Sequence, residues 1–237
     1  MTAILLVTGS LVLQSLLPPG AQLVEHRDVP KAVRSDRALV LWMLNPVKSE
    51  CSSPEEWADS CPDSTRGCHY SGPTRVSLVD TKLVRIINTI AIEDVLTGED
   101  TFDVPYRVMT PGPYGAKRGR VPVLMRLRDY NGDGNPLEFA FFDALACMGL
   151  ESTLIGYSIR RDQVIRFPIF LARSGASRTS EGAAQYWADY LFGQKPVRRG
   201  YWKYSIDYRG RGGTLDQYEV HYDSGQERFV GTCQSTP

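Results

Sequence analysis

Histidine is scarce in this chain, with three residues in 237, and the charges cancel, with 27 Lys and Arg against 27 Asp and Glu. A zero balance removes bulk electrostatic steering toward nucleic acid, anionic membrane or an acidic substrate. The common enzyme signatures are missing too: no G-x-S-x-G elbow, no H-E-x-x-H pair, no phosphate loop with its Lys and no dinucleotide fingerprint. No repeat with a period of roughly 20–50 residues is visible, which excludes a solenoid or a complete propeller. Apolar residues at 42% and charged residues at 23% are otherwise ordinary for a globular chain long enough to bury a substantial core.

The first seventeen residues, MTAILLVTGSLVLQSLL, carry no charge and run into PPGAQ. That pattern predicts a secretory signal over residues 1–22, cut near Ala21 or Gln22, and hence a secreted or periplasmic mature chain. Gly9, Ser10 and Gln14 interrupt the run, which falls short of the roughly 20 apolar residues of a membrane span. The alternatives are a membrane anchor and a plain buried first strand.

Five cysteines agree with export. Cys51, Cys61 and Cys68 lie in a segment rich in Ser, Pro and Asp, where a disulfide would restrict chain that buries little apolar surface. Cys147 and Cys233 pair only if the fold joins them, and the odd count leaves one thiol over. A zinc site from Cys51, Cys61, Cys68 and His69 lacks the usual closely spaced Cys pair.

The apolar stretches are short, branched or aromatic, and bounded by turn residues, as in strands. They are RALVLWMLN (37–45), TRVSLVD (74–80), LVRIINTIAI (83–92), VPVLMRLRD (121–129), LEFAFFDAL (137–145), STLIGYSI (152–159) and QVIRFPIFL (163–171), with FDVPYRVM (102–109) demoted to an edge by Pro105. Residues 23–36 read as a polar link. In YWKYSIDY, Trp202, Tyr204, Ile206 and Tyr208 alternate with Lys203, Ser205 and Asp207, and GRGG and DSG then turn the chain into TLDQYEVHYD and QERFVGT. One short α-helix is predicted near 180–192, with Ala184, Trp187 and Leu191 on one face, Ser180 as its cap and Gly193 beyond its end. The fold class is therefore mainly β, antiparallel meander sheets in a sandwich or partly open barrel. The expected organisation is a single all-β domain over 23–237, with a carboxyl-terminal three-strand subdomain over 200–232 as an option.

The densest cluster of oxygen side chains is DYNGDGNPLE, residues 129–138, between two apolar runs. Alternate positions of a tight loop can aim carboxylates and amides at one point, the arrangement a hard cation with six to eight oxygen ligands requires. Asp129, Asn131 and Asp133 occupy such positions, Gly134 permits a sharp turn, and Asn135 offers its carbonyl. Over about ten residues this resembles the calcium loops of FG-GAP and VCBS repeats in extracellular proteins, and the first half of EF-hand and dockerin loops. The resemblance implies calcium on Asp129, Asn131 and Asp133. Leu137 stands where FG-GAP-type loops place their closing acid, which here comes one residue later at Glu138. Ala140 replaces the bidentate Glu of an EF-hand, and a strand follows instead of a helix, so the site would be of strand–loop–strand type. The competing reading is a bare hairpin, since Asn-Gly and Asp-Gly are strong turn dipeptides with no ion bound.

Other features favour plainer explanations. His221 with Asp207 or Asp223 as neighbour and Ser205 as nucleophile is a conceivable trio, but a His on a polar strand face is ordinarily solvated. YRGRGG (208–213) resembles RNA-binding tails, yet Gly at a hairpin apex has a backbone reason. Tyr201, Trp202, Tyr204, Tyr208, Tyr218 and Tyr222 suit a sugar or peptide platform if exposed, and a core if not. The leading expectation is an exported, non-enzymatic β domain with a structural calcium loop, binding an extracellular or periplasmic protein or glycan. The alternatives are an extracytoplasmic hydrolase of glycan or peptide, with its cleft between loops 46–73 and 110–120, and an inhibitor of a secreted enzyme presenting residues 51–68.

Overall fold

The computed structural model describes residues 11–48, 69–92, 101–105, 123–145, 149–175, 184–186 and 188–237. Cys51, Cys61, Cys68, Cys147, most of the loop 46–73 and all of 110–120 lie outside these residues, so the disulfide, zinc, cleft and inhibitor-loop expectations fall there. The fold is mainly β. The chain divides into two compact units, one of residues 1–126, 143–149 and 157–165, the other of 127–142, 150–156 and 166–237.

In the first unit, strands β1 (Ala21–Asp28), β2 (Arg37–Leu44), β3 (Val47–Lys48), β4 (His69–Asp80), β5 (Arg85–Ile92) and β6 (Thr101–Pro105) form one sheet in the order β1-β2-β4-β3, with β5 and β6 also against β4. Every residue of β2 from Arg37 to Met43 is buried. That continuous burial explains its unalternated sequence, because a central strand covered on both faces has no wet side. Trp42 Nε1 donates to Ser77 Oγ at 2.8 Å, and Ser77 and Thr89 share a second hydrogen bond of 2.8 Å, so these interior polar atoms are paired.

Residues 23–28 are strand, where a polar link was expected: β1 pairs with β2 from Ala21 to Asp28 through an irregularity between Leu23 and Glu25. A short helix at 11–15 precedes it. Leu13 and Leu17 are buried in one cluster with Ala21, Val40, Trp42 and Val79. Gln14 spans the gap, donating to the Ala21 carbonyl at 2.8 Å and accepting from Leu23 N at 2.9 Å. Among the described residues no helix is long and apolar enough to cross a membrane.

Another expected strand, 121–129, is absent across the described residues 123–129 except for one bridge between Arg128 and Glu138. Its apolar content is real, since Met125 is fully buried, but Leu124 N and Met125 N donate to the Glu25 carboxylate at 2.7 and 3.1 Å. A side chain thus takes the donors that a ladder would have used.

The remaining strands are β7 (Glu138–Leu145), β8 (Gly149–Ser158), β9 (Gln163–Arg166), β10 (Ile169–Gly175), β11 (Ala184–Gln185), β12 (Ala188–Asp189), β13 (Tyr201–Asp207), β14 (Leu215–Asp223) and β15 (Arg228–Thr236). A four-stranded sheet runs β12-β8-β7 with β9 against β8, and a five-stranded sheet runs β11-β10-β15-β14-β13. β10 and β15 pair in parallel, a departure from a pure meander.

The predicted α-helix near 180–192 is not formed over its described part. Ala184–Gln185 bridges β10, Ala188–Asp189 bridges β8, and a 3-10 turn follows at Leu191–Gly193. Ladder contacts with two different sheets and a left-handed Tyr190, φ 53°, override the helical spacing. Of the face Ala184, Trp187 and Leu191, Leu191 is buried, as are its neighbours Ala188 and Phe192, while Trp187 lies outside the described residues.

Candidate functional site

The loop 129–138 belongs to the second unit and stands on an aromatic core. Phe229 packs edge-on against Phe167, Phe192 and Trp202 and tilted against Tyr222, with centroids 5.1–6.3 Å apart. Tyr130 joins this cluster from the loop, edge to face with Phe192 at 5.7 Å. Such pairs contribute about 0.5–1.5 kcal/mol beyond their buried area. One side chain inside the loop sequence therefore anchors it while its neighbours stay polar.

Two backbone approaches fix the loop's other side. Gly132, φ 81°, lies against the backbone of Arg199, where an added Cβ would sit 3.0 Å from its carbonyl carbon and oxygen. Gly200, φ 70°, lies against Asn131, whose carbonyl oxygen would be 2.7 Å from such a Cβ. Glycine is required at both places by conformation and by space.

The oxygens then sort into two groups. Asp129 turns onto the backbone, accepting from Gly132 N at 2.8 Å and Gly134 N at 3.1 Å, and Arg199 Nη1 reaches it at 3.2 Å. Asn131, Asp133 and Glu138 converge. The Asn131 amide nitrogen donates to Glu138 Oε1 at 3.0 Å and to Asp133 Oδ2 at 3.2 Å, while Asn131 Oδ1 accepts from Asp133 N at 2.9 Å. Asp133 Oδ1 also accepts from Asn135 N at 2.7 Å, and the Asn135 carbonyl accepts from Leu137 N at 3.0 Å.

Glu138 is fully buried, the deepest carboxylate of the loop. Its Oε2 accepts from Tyr130 N at 2.9 Å. Burial pushes its pKa up to about 8, aided by the negative charges of Asp133 and Asp129 and opposed by the Tyr130 and Asn131 amide donors. A close neighbour of the same sheet, Gly156, leaves room for it: a Cβ there would meet Glu138 Cγ at 2.9 Å. Among the described residues no group of three or more His, Cys, Asp and Glu is arranged to hold a metal ion. The donor set nonetheless suits a hard cation. The Asn131 side chain places its amide nitrogen against two carboxylates, and presenting oxygen there takes a half-turn of the amide that gives up the hydrogen bond from Asp133 N.

The other sequence readings resolve locally. Ser205 faces Gln217 and His221 faces Tyr201, four positions apart along β14, about 13 Å at strand spacing. Asp207 is engaged by Arg209 and lies opposite Leu215, so the Ser–His–Asp trio is not assembled. Asp223 accepts from Gly225 N and Gln226 N in the turn before β15. Of the aromatic row, Trp202 and Tyr218 are core residues, each 1% exposed. The Tyr218 hydroxyl donates to Asp189 at 3.0 Å beside the buried free thiol of Cys233, whose pKa burial raises. A shallow depression of about 380 Å³ on β13–β15 is lined by the polar Lys203, Ser205, Gln217, Glu219, Thr232 and Gln234 together with Tyr204 and Tyr218.

Sequence reasoning missed a second polar cluster, in the first unit. Arg37, 5% exposed, is held bidentately by Asp162 at 2.9 and 2.7 Å and pairs with Asp80 at 3.0 Å and Asp36 at 2.8 Å. Tyr157 donates to Asp162 at 2.8 Å. The Arg37 hydrogen bonds, helped by Tyr157, hold the Asp162 pKa down at about 2. Asp80 is lowered as well, first by the Leu83 N–H and then by Arg37 and the Lys82 N–H. The guanidinium thus meets three carboxylates, the arrangement of a structural staple.

No family model matches the chain, and no curated protein and no solved structure was found similar to it.

Proposed function

We propose that the chain is an exported β module that binds a partner rather than catalysing a reaction, and that the loop 129–138 takes a calcium ion that stiffens the second unit. The observation that carries this reading is the convergence of Asn131, Asp133 and the buried Glu138 on one point of a loop whose spacing alternates oxygen ligands. When bound, calcium supplies charge neutralisation for those carboxylates. Asn131, Asp133 and Glu138 would hold it, and Asp129 would join them by turning from the Gly132 and Gly134 amides from which it accepts, with the Asn135 carbonyl in the same loop. Three acids and one amide in an exposed loop suit the weak binding, roughly 10⁻⁴–10⁻³ M, of extracellular modules. The role we assign to the ion is structural: it would tie Asn131 and Asp133 to the buried Glu138.

Thermal unfolding of the full chain, with calcium and with chelator, tests the ion. At a calcium concentration a hundred times Kd the folded state gains about 2.7 kcal/mol. Asp133→Ala should remove that gain, and an equal midpoint with and without chelator would refute the assignment. Export has its own test. Cleavage near Ala21 or Gln22 takes Leu13 and Leu17 away from Val40 and Trp42, so amino-terminal sequencing of the natural protein is decisive. A start near residue 22 or 23 supports export, and an intact Met1 contradicts it.

A further inference from the structure

Strand β13 closes one side of the five-stranded sheet, and among the described residues no strand pairs along its outer edge. The hydrogen bonds at its two ends show which of its backbone groups point outward. Tyr222 N on β14 donates to the Gly200 carbonyl at 2.9 Å, and Tyr208 N donates to the Thr214 carbonyl at 2.9 Å, so even-numbered positions face the sheet. Tyr201 turns the other way: its N–H donates to Arg198 O at 2.9 Å and its carbonyl accepts from Val197 N at 3.0 Å. By the alternation of an antiparallel ladder, the N–H and C=O groups of Lys203, Ser205 and Asp207 then point outward at the edge.

Unpaired edges are templates for association, and charges on them decide what is admitted. Here the charges are self-complementary. Lys203 and Asp207 lie two positions either side of Ser205 and carry opposite signs, with their side chains on the same wet face. We infer that β13 is a homotypic interface, pairing antiparallel with β13 of a second copy about a two-fold axis at Ser205. In that register Lys203 faces the partner's Asp207, Asp207 faces the partner's Lys203, and Ser205 faces the partner's Ser205. Each opposed pair exchanges both of its N–H···O=C bonds, so the outward groups of all three residues are satisfied at once. Shifting the axis by two residues sets Lys203 against Lys203 or Asp207 against Asp207, and shifting it by one sets Lys203 or Asp207 against Ser205 and pairs only two of the three outward residues, so charge and hydrogen bonding together favour the axis at Ser205. Glu219, the present partner of Lys203, is an exposed 3.8 Å contact that exchanges at little cost, whereas Asp207 is held bidentately by Arg209 and would meet the partner's Lys203 with that contact kept or given up. The segment 197–198 already covers the edge at Tyr201, which limits the contact to Lys203–Asp207 and keeps it small. An edge contact of that size is weak and reversible, not obligate.

Sedimentation velocity of the full chain across concentrations up to about 1 mM reads the association directly. A concentration-dependent monomer–dimer equilibrium that weakens with salt is expected. Lys203→Asp sets like charges opposite one another at both symmetry-related pairs and should weaken dimerisation roughly tenfold or more. Adding Asp207→Lys to it swaps the signs and should restore the wild-type constant. Ser205→Pro removes the central donor and should abolish the dimer, with circular dichroism checking that the monomer is folded. A wild-type chain that stays monomeric throughout, a dimer indifferent to Lys203→Asp, or a double variant that fails to recover would each overturn the interface.

Discussion

Arg37 and Glu138 are two buried ionisable residues with opposite solutions to the same problem. Arg37 keeps its charge because three carboxylates surround it, whereas Glu138 is disfavoured as an anion by its burial first and then by the acids Asp133 and Asp129 beside it. Replacing Arg37 by Met leaves Asp80 without its cation and should lower the midpoint of denaturant unfolding. The same cluster sets an acid limit. Asp162 and Asp80 have folded pKa values below the ordinary carboxylate value, so their stabilisation is complete above about pH 4 and is lost as pH falls toward the Asp162 value of about 2. Unfolding free energy followed from pH 5 to pH 2 should fall steeply, and Arg37→Met should flatten that slope. For Glu138, the Gln variant keeps an acceptor for Tyr130 N and a donor toward Asn131. It should unfold within about 1 kcal/mol of wild type in chelator, while Glu138→Ala strands buried donors and should cost about 1–3 kcal/mol more. None of the Arg37 contacts was legible in the sequence. Asp36, Asp80 and Asp162 look like ordinary turn residues until three separate turns meet.

The strands of the carboxyl-terminal sheet were legible because each keeps one wet face: β13 and β14 alternate buried and exposed as their sequences do. Elements failed where tertiary contacts replaced local preference. Residues 184–193 have helical spacing but are pinned by two ladders, 123–127 has strand composition but gives its donors to Glu25, and β1 was hidden inside a segment read as a leader and a polar link. The loop 129–138 was legible as a turn of oxygen side chains. Its support was not, since Tyr130 on Phe192 and the Gly132–Arg199 and Asn131–Gly200 backbone approaches join residues some seventy positions apart. That support predicts that Gly200→Ala acts on the loop through its backbone. It should destabilise the chain by more than about 1 kcal/mol and weaken calcium binding although it removes no oxygen.

For the whole molecule, composition gave the class, a mainly β chain without the charge imbalance of a nucleic-acid binder, and the pattern of strands gave the sheets. The proposed function rests on one loop in one unit. Its direct test is equilibrium dialysis of the full chain against radiolabelled calcium, wild type beside the Asp129→Ala/Asp133→Ala double variant. One ion per chain on the wild type, saturating at roughly millimolar calcium, and none on the variant is the predicted result. Equal uptake by the two, or no uptake by either, would contradict calcium binding by residues 129–138.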